Sequence, residues 1–341
     1  MKNKKLNFCI ITGNNYIAKA ITMYESIKQH VSDFTLYYFC FDKKTFDCIN
    51  KLNLDKIVPI KISDIEDKEL LKAKKNRSMA EYFFTLTPSI VWYAIHKFDL
   101  EMCIYIDADL YFFNSPEILL ENMSNNSVLI TEHIPLSQKY PMEGRFNVQF
   151  IPFRNDEYGM RVLKSWREKC IEWCFLKSEN GKWADQGYLN TWDQEFERVK
   201  VLTYYGVIGP WSLKHSSFRL EDDRILVRNK TVDKEYALIF YHFQGLHAKY
   251  DYTIVYKSDM DITGNVVDLV YRPYSSRLIE TVKAINQICP KLDVLGKLPK
   301  PRTIESLLYI LKSEKTVKNI SSSLLKKIIK IINESRPWQK Q

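Results

Sequence analysis

Two apolar rhythms alternate along this chain. Residues 6–12, LNFCIIT, form a short apolar run stopped by Gly13-Asn14-Asn15, the pattern of a buried strand. Residues 16–30 follow with Ile17, Ala20, Ile21, Tyr24 and Ile27 at helical spacing. Residues 34–42 read as a second strand, 44–52 as a helix and 56–62 as a third strand, placed at an edge because Pro59 has no N–H to give a ladder. This alternation is that of an α/β sheet with parallel order. Residues 64–98 have helical character, with a break expected at Pro88. Met102 to Ile106 is an apolar run of the kind that fills the centre of a sheet. Further strands are expected at 127–132, 146–153, 198–202 and 236–243. A helix is expected at 157–176, with Trp166, Cys170 and Trp173 at turn spacing. A boundary is expected after residue 298, where LPKPR separates residues 1–298 from a basic helical tail, 299–341.

The 341 residues suffice for one large domain, or one domain with an appendage, and 45% apolar residues supply a sizeable core. The net charge of +9 fits a partner that is nucleic acid, anionic membrane or a phosphorylated small molecule, and equally a solvated basic surface. No RNA-recognition or zinc-finger pattern accompanies the lysines, so nucleic acid is not expected as a partner. The seven cysteines are odd in number, and several sit in apolar runs, against a disulfide framework. Cys170 and Cys174 have helical spacing, but no second Cys/His pair completes a zinc site. The short apolar run near the N-terminus reads as a strand rather than a signal peptide, and no run is long enough to span a bilayer. The compartment expected on this reading is the cytoplasm.

The chemistry concentrates at Asp107-Ala108-Asp109. In extended chain the two carboxylates leave the same face, directly after a buried strand. In an open α/β sheet, ligands gather beyond the carboxyl ends of strands. Two adjacent carboxylates repel unless a cation lies between them, and Mn²⁺ or Mg²⁺ would supply that charge and bridge phosphate oxygens. An acidic surface turn is the plain alternative. The apolar run Leu110-Tyr111-Phe112-Phe113 that follows argues against it.

The segment YIDADLYFFNSPEIL resembles the metal-binding segment of GT-A glycosyltransferases, particularly glycosyltransferase family 8 and its bacterial relatives. FNVQFIPFRND, KWADQGYLNTW and YHFQGLHAKY resemble three further segments of that family in the same order, and the resemblance spans roughly residues 5–250. It implies a GT-A fold, a Rossmann-like and mostly parallel sheet flanked by helices. It also implies a nucleotide-sugar donor, UDP by default, with Asp107, Asp109 and His242 as protein ligands of the ion. Thr12, Asn15 and Tyr16 fall where the nucleotide is held, and Asn147 where a strand borders the donor sugar. Arg77, Ala108, Gly245, His247 and Lys249 are further donor contacts on this reading. Asp185 would hold donor hydroxyls and Gln186 would lie near the anomeric carbon. Asp185 at a helix N-terminus is also simply a good cap, and Arg77 with Glu81 has the spacing of a surface ion pair. Trp183, Trp192 and Trp211 could stack on sugar rings or fill core. Two departures stand out: Gln149 occupies a position where a small residue is common, and Lys249 is displaced by one residue.

With neither Asp185 nor Gln186 a strong nucleophile, the resemblance favours a retaining route, while Glu132 or Glu143 could serve as the base of an inverting one. Two rival functions remain open at this stage. One is a nucleic-acid-binding protein or metal nuclease, the other a catalytically silent nucleotide-sugar binder. Residues 303–332 place Val317, Ile320, Leu324, Leu325, Ile328 and Ile332 at helical spacing among lysines. Such a helix fits an anionic membrane surface, so peripheral attachment to the inner membrane face is expected, beside a glycan or lipid-linked acceptor; packing on the catalytic domain is the alternative.

Overall fold

The computed structural model describes residues 5–133, 144–249, 253–256 and 262–296. The boundary at 298, the tail helix and Glu143 lie outside the described residues. In chain order the first half comprises β1 (Leu6–Thr12), α1 (Ile17–His30), β2 (Phe34–Cys40), α2 (Lys43–Leu52), β3 (Ile57–Lys61), α3 (Lys68–Lys74), α4 (Met79–Phe98), β4 (Met102–Ile106), β5 (Leu110–Phe112), α5 (Glu117–Met123), β6 (Val128–Glu132), β7 (Phe146–Asn147), β8 (Phe150–Arg154) and α6 (Glu157–Glu172). The second half comprises α7 (Trp192–Glu195), β9 (Val199–Val201), β10 (Val207–Ile208), β11 (Ser216–Glu221), β12 (Arg224–Asn229), β13 (Lys234–Ala237), β14 (Phe240–His242), β15 (His247–Ala248), β16 (Ile254–Val255) and α8 (Arg272–Ile288).

Eight strands form the main sheet in the order β3-β2-β1-β4-β8-β6-β7, with β9 beside β6. The strands β3, β2, β1 and β4 are parallel, and β8 joins β4 antiparallel. Period-2 alternation divides the core between the two faces. Phe8, Ile10, Ile104 and Ile106 pack in one cluster with α1 and α8, while Cys9, Cys103 and Tyr105 face a second cluster with α4 and α6. The strand containing Pro59 is an edge strand, as its missing N–H requires. All seven cysteines are buried thiols.

Four expectations need correction. The helix does not break at Pro88. It runs from Met79 to Phe98, because buried Leu86, Ile90 and Val91 hold it through the proline. The true start is a capping box, in which Ser78 accepts from the Glu81 N–H and Glu81 accepts from the Ser78 N–H. The strand expected at 146–153 is two strands. Asn147 Oδ1 takes the Gln149 N–H at 2.8 Å, a local bond that withdraws that donor from the ladder. Helix α6 stops at Glu172, where Arg77 donates to the carbonyls of Ile171 and Glu172 at 3.3 and 3.2 Å. The run 236–243 splits into β13 and β14.

The hairpin β11–β12 and helix α8 were not anticipated. The hairpin turns on Asp222 and Asp223, with φ of 46° and 58°, the left-handed pair that a two-residue hairpin loop needs. Among the described residues, no helix is long and apolar enough to cross a membrane. Trp192 is fully buried against Trp166 and Phe153, with ring centroids 5.4 and 6.1 Å away, so it is core and not a sugar platform. Trp192→Ala is expected to cost roughly 3–5 kcal/mol in urea unfolding. Unchanged stability would contradict that placement.

Candidate active site

The site is built where β4 ends. After Ile106 the Asp107 N–H donates to the Gln149 carbonyl at 3.1 Å, and the chain turns through Asp107-Ala108-Asp109 into β5. Strand β14 pairs antiparallel with β5, setting His242 opposite Leu110, and the Phe243 N–H donates to the Asp109 carbonyl at 2.9 Å. This pairing, between segments 130 residues apart, carries the imidazole to the carboxylates. His242 Nε2 lies 3.0 Å from Asp109 Oδ1 and 3.8 Å from Asp107 Oδ2. One ligand atom from each of Asp107, Asp109 and His242 falls within 4.8 Å of the others.

Charge explains how this cluster is held. Two carboxylates at such a distance repel by roughly 3–4 kcal/mol at an effective dielectric of about 20. Burial lifts the Asp107 carboxyl above its ordinary range, with His242 opposing and Asp109 adding to the rise. Burial pushes Asp109 the same way, but His242 and then Lys19 outweigh it and hold Asp109 at about 2. Burial would lower His242, but Asp109 and Asp107 raise it instead. The Tyr105 hydroxyl donates to Asp107 Oδ1 at 2.9 Å.

Lys19 escaped the sequence reading. It is only 3% exposed, on α1, and donates to the Leu246 carbonyl at 3.0 Å. Its Nζ stands 4.0 Å from Asp109 Oδ2 and 4.3 Å from the Tyr16 ring centre. The available signal was a lysine amid Ile17, Ala18, Ala20 and Ile21, seven residues past the end of the first strand. Tyr16 is likewise brought in: 38% of the residue stays exposed, but desolvation around its hydroxyl, then the charges of Asp109 and Asp107, push the phenol upward.

The remaining candidates divide. Thr12 lies at the end of β1, with its hydroxyl 2.5 Å from that of Tyr38. Asn15 is exposed beside Gly296, and the neighbouring Asn14 amide and Ala18 N–H bond the carbonyls of Asp293 and Val294. Ala108 is buried between the two acids. Asn147 belongs to a buried polar chain behind His242. Gly245, with φ of 76°, makes the left-handed turn after His242 that a side chain would resist. His247 and Lys249 follow on the β15 hairpin, where the Lys249 N–H donates to the Thr253 carbonyl. Arg77 is not gathered into the cluster, and it meets Glu81 through a charge interaction without a direct ion pair. Its guanidinium lies 3.9 Å over the Phe175 ring and serves the end of α6.

Asp185 is buried; its side chain makes no N-cap bond to the second or third amide of the short 3₁₀ helix that opens at Gln186, although the Gln186 N–H itself helps hold the carboxylate. The residue before it, Ala184, has φ of 42°, a left-handed conformation that costs an alanine about 1 kcal/mol or more. Trp166 Nε1 fixes the Asp185 carbonyl at 2.9 Å. Burial raises the Asp185 carboxyl to about 7, a Thr87 hydrogen bond opposes this and Asp107 adds to it. Half-exposed Gln186 begins that helix. Trp211 stands edge-to-face against both His242 and His133, with centroids 5.3 Å away in each case. Gly209 leaves it room, since a Cβ there would meet the Trp211 ring at 2.5 Å. Trp183 sits half-buried at the margin of the second core cluster.

This mixed, mostly parallel sheet with a carboxylate pair beyond its central strand is the GT-A glycosyltransferase fold. The galactosyltransferase LgtC, solved in complex with donor and acceptor sugar analogs, is similar with a TM-score of 0.54 at 11% identity, covering 81% of this chain and 96% of its own. No protein-family model matches the chain. The chain belongs to the family of the uncharacterized protein YfnF of Bacillus subtilis (strain 168), to which it is 31% identical over 249 residues, covering 70% of this chain and 80% of YfnF. It is also 28% identical over 295 residues to the uncharacterized protein YfnD of the same organism, covering 83% of this chain and 92% of YfnD.

The raised Asp185 carboxyl has a consequence for stability. Ionising it costs more in the folded than in the unfolded chain, so its penalty is absent below about 3.8, grows as pH rises and is complete above about 7. With chelator present, Asp185→Asn should therefore raise the melting temperature more at pH 8 than at pH 5. The corresponding gain in unfolding free energy at pH 8 should be on the order of a few kcal/mol. An equal effect at both pH values would contradict the assignment.

Proposed function

We propose that the protein is a metal-dependent glycosyltransferase. It moves a sugar from a nucleotide diphosphate sugar, with UDP as the carrier, to a hydroxyl of a glycan or lipid-linked acceptor, with retention at the anomeric carbon. The observation that carries this reading is the convergence of Asp107, Asp109 and His242 within 4.8 Å at the carboxyl edge of the sheet. Two carboxylate oxygens and one imidazole nitrogen are a donor set suited to Mn²⁺, and tolerable for Mg²⁺. A divalent cation bound there neutralises charge on the departing diphosphate.

The other residues have separable tasks on this reading. Lys19 and Tyr16 flank Asp109 and set the wall nearest the nucleotide. His247 and Lys249, on the hairpin after Gly245, bring cationic groups to the diphosphate. A carboxyl poised near 7 at Asp185 can give or accept a hydrogen bond with a donor hydroxyl. Gln186 supplies an amide beside the reacting carbon. Retention is supported by the state of Glu132, which is tied to Arg145 Nε at 2.8 Å, while Arg145 also holds Asp193 at 2.8 Å. In a retaining transfer the acceptor oxygen bonds to the anomeric carbon on the face the diphosphate leaves. The hydroxyl proton passes to the departing phosphate oxygen. The alternating apolar and lysine positions of residues 303–332 support an acceptor held at an anionic membrane surface.

Calorimetry should show UDP binding with Mn²⁺ present and little without it. Asp107→Ala, Asp109→Ala and His242→Ala should each lower transfer about a hundredfold or more, the usual cost of one lost electrostatic contact, measured on variants that circular dichroism shows to be folded. Near-normal turnover in all three variants would refute the site. Donor binding without transfer to any acceptor would instead identify a silent binder.

A further inference from the structure

We infer that Gln149 positions the imidazole ligand of the metal centre and couples it to Asp107. The inference rests on the metal-centre reading above. Gln149 Oε1 lies 3.1 Å from His242 Nδ1. An amide oxygen can only accept, so the shared proton sits on Nδ1. The nitrogen left to coordinate is then Nε2, which is the one that faces Asp109 and Asp107. The carbonyl of the same residue accepts the Asp107 N–H at 3.1 Å. One residue thus contacts two of the three ligands, through its side chain and its backbone.

Gln149 is itself held on every side. Its N–H donates to Asn147 Oδ1 at 2.8 Å, and its Nε2 reaches Thr131 Oγ1 at 3.5 Å. Asn147 Nδ2 in turn donates to His133 Nε2 at 3.0 Å, and His133 Nδ1 donates to the Gly144 carbonyl at 3.2 Å. Donors and acceptors match along the whole chain with one assignment of each amide and a neutral His133. Burial supports that neutrality, pushing His133 down to about 4. Gln149 is 1% exposed, Thr131 1%, Asn147 4% and His133 7%. A buried amide in an otherwise apolar strand start is costly unless satisfied, and a fully satisfied network fixes geometry. Filling space alone would not need an acceptor aimed at Nδ1.

The test is titration of the full chain with Mn²⁺ alone, comparing wild type, His242→Ala, Gln149→Met and Gln149→Glu, with circular dichroism as a check on folding. Gln149→Met keeps the volume and removes the acceptor. It should weaken Mn²⁺ binding about ten- to a hundredfold, as loss of an outer partner of a histidine ligand does. Gln149→Glu keeps the acceptor and should bind at least as tightly as wild type. Pulsed electron paramagnetic resonance should show imidazole nitrogen coupling to Mn²⁺ in wild type and Gln149→Glu, and a diminished coupling in Gln149→Met. Equal affinity and coupling in Gln149→Met, with wild-type binding intact and lost in His242→Ala, overturns the role of Gln149 alone. If Gln149→Met does not fold, a more than tenfold loss in Gln149→Glu overturns it. No Mn²⁺ binding by the wild type overturns the metal centre and this inference together.

Discussion

Asp107 and Asp109 put two acids at one end of a central strand, and the neighbouring elements are arranged around the need to balance them. Strand β14 returns across a long separation to pair with β5, and its last residue is His242. Helix α1 inserts Lys19, a cation placed where apolar packing alone would not put one. Strand β8 starts one residue after Gln149, whose carbonyl receives the Asp107 N–H. Without His242 and Lys19 the pair would carry both the burial cost and the mutual repulsion, each of several kcal/mol. With them the protein presents a preformed acidic corner, and the same oxygen and nitrogen atoms remain available to a divalent ion.

The charge pattern also separates two kinds of carboxyl. Asp109 stays ionised through His242 and Lys19, whereas Asp185 is buried without a cation at its side and moves toward neutrality. On the proposed function this difference divides the labour, with the ionised Asp109 at the diphosphate end and a hydrogen-bonding carboxyl at the sugar end. Strained Ala184 and the Trp166 bond to the Asp185 carbonyl show the chain held in place to present that group. Trp211 packs edge-on against His242 on another side of the acidic corner.

Much of the first half was legible because its signals are local. Apolar runs of five to seven residues ended by Gly13 or Asp42 placed the strands, and the acids after Ile106 announced the site. The errors arose where tertiary contacts outweighed local rules. Burial of Leu86 and Ile90 carried a helix through Pro88, and the Asn147 side chain cut one expected strand into two. Trp192 carries no local mark to distinguish core from platform. Lys19 stayed hidden, and Gln149 stood out only as a departure without a role, because their meaning depends on partners 90 and 93 residues away in sequence, at Asp109 and His242. Arg77, a basic residue in a suggestive stretch, donates to the carbonyls that end a helix, a partnership no local signal marks.

The central claim is that Asp107, Asp109 and His242 form one metal centre at the donor site. It is tested most directly by diffraction from crystals grown with Mn²⁺ and UDP, with data collected at the manganese absorption edge. The account requires one anomalous peak between both Asp carboxylates and His242 Nε2, with the UDP diphosphate against it. UDP bound in the cleft with no anomalous peak at these three residues would contradict it.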